Sequence, residues 1–100
     1  MSRDQMMALL EAEFKQERTD ALGRIGRKLQ TAIDEAKALD ERLAHLPSGP
    51  TREQHLERYR EARARVEEFR YYLVVQREAI GVLEHSILDE MYPLPRLIRS

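Results

Sequence analysis

Leu46-Pro47-Ser48-Gly49-Pro50-Thr51 stands almost midway along a chain of 100 residues and decides how the rest is arranged. Pro47 disfavours helical geometry at Leu46, and Gly49 tolerates a left-handed turn. Thr51 then offers a hydroxyl N-cap, with Gln54 three residues on to complete a capping box. Ser2 and Gln5 repeat that signature at the front, and Pro93 and Pro95 stop the second helix near Met91. The expected elements are helix A over about 3–45, a turn at 46–50, helix B over about 52–91 and an extended tail at 92–100. At 1.5 Å per residue each helix is roughly 60 Å long, and so short a link makes them antiparallel neighbours in a single domain.

Apolar spacing on both sides of the turn supports this all-α, coiled-coil-like hairpin. Leu22, Leu29, Ala36 and Leu43 recur every seven residues, and Ile25, Ala32, Leu39 and Leu46 do the same three residues later. Upstream these columns land on Glu11, Lys15 and Arg18, so the strict heptad fails. Met7, Leu10, Phe14 and Ala21 carry the seam on in a shifted register, as a stutter does. Helix B places Tyr59, Val66, Leu73, Ile80 and Ile87 in one column, with Ala62, Phe69, Gln76 and Leu83 in the other. Gln76 is a polar residue in an apolar seam, a device that sets register at some cost in stability.

One seam suffices for one partner helix, yet helix B has a second stripe, Tyr72, Val75, Ala79 and Val82. In an antiparallel hairpin this half of B lies against Met6, Met7, Leu10 and Phe14 of A. The open end thus carries more apolar surface than two helices hide. The expected interface is Met6, Leu10, Tyr72, Val75, Ala79 and Val82, pairing with a second copy into a four-helix bundle or with an unidentified protein partner. The alternative is a tail folded back over that surface through Leu94, Leu97 and Ile98. Gly23 and Gly26, inside helix A, read either as a close-packing groove for another helix or as tolerated surface glycines.

Little in the chain points to chemistry. There is no cysteine, so thiolate metal sites and thiol catalysis are excluded. The residues three before His45, His55 and His85 are Arg42, Arg52 and Val82, so the Glu-x-x-His pairs of a di-iron bundle are absent. His85 and Asp89 could share a proton or metal, though a surface pair is the plainer reading. Ser86 and His85 are adjacent and project apart, and no serine or threonine has a base with an orienting group. No catalytic, metal or cofactor site is expected. Arg58, Arg60, Arg63, Arg65 and Arg70 resemble a phosphate-binding strip, but Glu53, Glu57, Glu61, Glu67 and Glu68 are interleaved as on a solvated face. With a formal charge of −1 and the longest apolar run at Tyr71–Val75, neither nucleic acid nor a membrane is the expected partner. The sequence therefore reads as a cytoplasmic, non-catalytic assembly, adaptor or chaperone-like protein. An RNA-binding helical hairpin dimer is the alternative, on fold analogy.

Overall fold

The capping box at Ser2 forms as its residues imply. The Ser2 hydroxyl accepts from the Gln5 N–H at 3.1 Å, and the Gln5 side-chain oxygen Oε1 accepts from the Ser2 N–H at 2.9 Å. From there the computed structural model, which describes residues 2–99, runs through three helices: α1 over Arg3–Leu43, α2 over Pro50–Ala79 and α3 over Ser86–Met91. No strand occurs among the described residues. Met1, Ser100 and the side chain of Phe14, with its expected place in the seam, lie outside them.

The mid-chain turn makes the antiparallel hairpin, but its chemistry differs from the expectation at Thr51. The N-cap of α2 is Gly49, and Pro50 takes the first helical position, where a missing N–H costs nothing. Gly49 sits at φ 149° and ψ −176°, a region open essentially to glycine alone. Its carbonyl accepts from the Glu53 N–H at 3.1 Å. Arg52 reaches back to the carbonyls of Leu43 and Leu46, which the end of α1 leaves without helical partners.

Both heptad columns of helix A are used. Toward the turn, Ala36, Leu39 and Leu43 close on Leu56, Tyr59 and Ala62. Further along, Leu29 and Ala32 close on Val66 and Leu73, flanked by Leu22, Ile25 and Phe69. Small residues at Ala36 and Ala62 leave room in the first of these clusters for the Tyr59 ring, one of the largest fully buried side chains.

The expected helix B over 52–91 is corrected at its far end. Helix α2 stops at Ala79 because Gly81 turns left-handed, at φ 88°. The Gly81 N–H donates to Glu78 and the Val82 N–H to Arg77, both at 3.0 Å. These two bonds are those of a Schellman stop, which a glycine accepts without strain. The seam expected beyond Leu73 therefore does not continue. Ile80, Leu83 and Ile87 are 42%, 77% and 47% exposed, whereas Leu88, which stands in neither column, is 3% exposed. Gln76 is only half-buried, one turn before the stop. After Gly81 the chain reverses, and α3 packs Leu88 into the Leu29–Val66–Leu73 cluster. The tail then runs back toward the turn, giving an elongated molecule of 70 × 23 × 14 Å.

Candidate interaction surface at the open end

Because α1 has 41 residues and α2 has 30, the hairpin arms are unequal. Ala79 and Ile80 come level with Glu11, Lys15, Arg18 and Thr19, around an open recess of about 570 Å³. The first turns of α1 project past that point. Met6, Met7, Leu9 and Leu10 on them are 54%, 50%, 52% and 43% exposed.

Which face the second stripe occupies follows from two sets of contacts. Arg65 donates to Glu35 of α1 at 2.9 Å and so marks one edge of the hairpin. Tyr72 and Ala79 follow Arg65 at intervals of seven and lie on that same edge. Leu10 and Met6 stand 25 and 29 residues before Glu35, within about 20° of it at 100° per residue. Met6, Leu10, Tyr72 and Ala79 thus extend one face of the hairpin to its open end, with Val75 on the outer flank. All five are exposed. Val82, expected in the same stripe, lies instead in the link after the helix stop and is half-buried. Met7, Leu9 and Tyr71 add apolar area that the stripe as read from sequence leaves out. Tyr72 is held in place by its hydroxyl, which donates to Glu68 at 2.9 Å. That bond and the Glu68 charge raise its pKa above the ordinary phenol value.

The opposite edge is built from Arg63, Arg70 and Arg77, also seven residues apart. Read from sequence, Arg63 and Arg70 belong to a solvated face; in the structure all three side chains hold the C-terminal segment. Arg77 donates to the Glu84 carbonyl at 2.9 Å and to His85 Nδ1 at 3.2 Å. Arg70 donates to the Tyr92 carbonyl at 2.9 Å and pairs with Asp89. Arg63 donates to the Pro95 carbonyl at 2.8 Å. Beyond these, the Tyr59 hydroxyl donates to the Arg96 carbonyl, and Arg96 forks onto Asp40 at 2.7 and 3.0 Å. Arg96 holds the Asp40 carboxyl below its ordinary pKa, while burial first and the Asp40 charge second push the Tyr59 phenol up. The tail does fold back, but over Tyr59 and α1 near Asp40, leaving Tyr72 and Val75 bare. Ile98 packs on the core there while Leu97 remains exposed.

The other sequence candidates separate. His85 and Asp89 do not share a site: His85 Nε2 faces Glu78 at 3.1 Å, and Asp89 belongs to Arg70. His55 donates to the Thr51 carbonyl at 2.9 Å within its own helix. Among the described residues no three His, Cys, Asp or Glu side chains gather as a metal site. At Gly26 an added Cβ would meet the Tyr92 hydroxyl at 3.1 Å, so the chain's own C-terminal segment sits against that glycine. At Gly23 it would meet only the Arg27 guanidinium, at 3.3 Å. No helix among the described residues is long and apolar enough to cross a membrane. No family model, curated protein or solved structure matches the chain.

Proposed function

We propose that this protein is a non-catalytic assembly module of the cytoplasm whose open end pairs with a second copy into a four-helix bundle. One observation carries the proposal: α1 outruns α2, and the overhang bears Met6 and Leu10 on the face that Tyr72 and Ala79 continue, with Met7 and Leu9 exposed to either side. An isolated helical stretch of that length is marginal in water and is stabilised chiefly by burying an apolar face. The chain's own tail is seated on the opposite edge and leaves this face bare. A two-fold partner is favoured because one patch then serves both subunits. With Leu10 facing its own copy across an antiparallel axis, Arg3 falls opposite Glu17, so a charge pair accompanies the apolar contact.

Sedimentation of wild type and variants tests this. Leu10→Glu combined with Val75→Glu places two carboxylates in the paired face, where desolvation opposes burial. The double variant should sediment at 11.8 kDa and the wild type at twice that mass. Glu61→Ala, on an exposed surface away from the stripe, should leave the mass unchanged. A wild type that remains a single chain at high micromolar concentration contradicts the proposal.

A further inference from the structure

Residues 80–91 carry the apolar pattern of one conformation and adopt another. Ile80 and Ile87 continue the column of Tyr59, Val66 and Leu73, and Leu83 continues that of Ala62 and Phe69. All three are nevertheless exposed, because Gly81 reverses the chain one residue after Ile80. The α1 surface that such a column would meet is exposed as well. Ile80 stands level with Glu11 and Lys15, so an unbroken antiparallel helix would lay residues 81–91 beside the α1 overhang. Leu83 would then fall near Leu10 and Ile87 near Met7, and Met91 would end near Asp4. The length of the overhang matches the length of the segment that turns away from it.

We propose that residues 80–98 are a latch with two mutually exclusive seats. In the folded-back seat the chain reverses at Gly81, Leu88 and Tyr92 pack on Leu29 and Gly26, and Arg63, Arg70 and Arg77 hold the segment by its carbonyls and by Asp89. In the straight seat α2 runs through Gly81 to Met91 and covers the α1 overhang with Ile80, Leu83 and Ile87. The first seat buries Leu88 and leaves the overhang bare. The second covers the overhang and bares the opposite edge with its three arginines. The left-handed turn at one glycine decides between them, since the flanking residues are compatible with helix. The straight seat also withdraws the face argued above for a second copy, so the latch governs when that face is available. The two-seat equilibrium itself is intramolecular and does not depend on pairing.

The chain has no cysteine, so Asp4→Cys and Glu90→Cys give a clean pair of spin-label sites, both exposed. Folded back, Glu90 lies between Asp89 on Arg70 and Tyr92 against Gly26, about 30 Å along α1 from Asp4. In the straight seat the two come within about 10 Å, the spacing of packed helices. The labelled chain is diluted into excess unlabelled chain so that only distances within one molecule are read. Gly81→Ala, which penalises the left-handed turn, should raise the short-distance population several-fold and increase helicity. Leu88→Ala, which removes the buried anchor of the folded-back seat, should do the same without touching the turn. Leu83→Pro, at an exposed position of the link, should abolish the short distance. A single distance near 30 Å in wild type, Gly81→Ala and Leu88→Ala alike overturns the latch. So does a short distance that disappears on dilution with unlabelled chain, which assigns the seat to a second copy.

Discussion

Two glycines three residues apart on α1 have different neighbours, and single substitutions separate them. Alanine gains about 1 kcal/mol over glycine inside a helix. At Gly23 the added methyl meets the far end of the Arg27 side chain, which swings aside, so Gly23→Ala should stabilise by about 0.5–1 kcal/mol in urea denaturation. At Gly26 the methyl meets the Tyr92 hydroxyl, and the gain should be smaller. Tyr92→Phe removes that oxygen, so Gly26→Ala should recover its full gain in that background, a coupling a double-mutant cycle reads directly. The Asp40–Arg96 pair supplies a pH test. Arg96 depresses the Asp40 pKa in the folded chain, so its stabilisation is present at neutral pH and lost as pH falls through and below the usual carboxylate range. Backbone amide signals of Leu94 and of residues 96–98 should shift together over that acid range, and Asp40→Asn should remove the transition.

At the scale of elements, Ile87 and Leu88 distinguish the folded-back segment from the straight helix that periodicity alone implies. In the folded-back seat Leu88→Ala should cost about 2–5 kcal/mol, as for other buried leucines, measured by the denaturation midpoint. Ile87→Ala should stay within about 0.5 kcal/mol. Heptad spacing was legible wherever both arms are present, because burial at Leu29, Ala36, Leu43, Tyr59 and Val66 obeys it. It misled after Leu73, where Ile80, Leu83 and Ile87 keep the spacing although the backbone conformation of Gly81 outweighs it. Pro50 likewise displaced Thr51 from the helix start, since a proline at the first helical position serves as well as a hydroxyl cap. The stripe at Tyr72, Val75 and Ala79 was legible as apolar excess. The role of Arg63, Arg70 and Arg77 was not, because each holds the C-terminal segment through a backbone carbonyl, which leaves no mark in side-chain patterning. Their seven-residue spacing was the available signal.

For the whole molecule, unequal arms are the feature from which the functional proposal follows. One edge is closed by the chain's own C-terminal segment, and the other runs bare from Tyr72 to Met6. Charge is nearly balanced, and three of the arginines face inward onto the segment they hold. The functional proposal rests on the apolar helix face that stays bare. The central claim, that a second copy covers this face, is tested most directly by hydrogen exchange of the α1 backbone amides across a dilution series. Unpacked helix opens with little free energy, whereas packed helix is protected up to the stability of its assembly. The amides of residues 6–20 should exchange slowly at high protein concentration and progressively faster on dilution, while those around Leu29 and Ala36 stay protected throughout. Equal exchange of residues 6–20 at every concentration would contradict the claim.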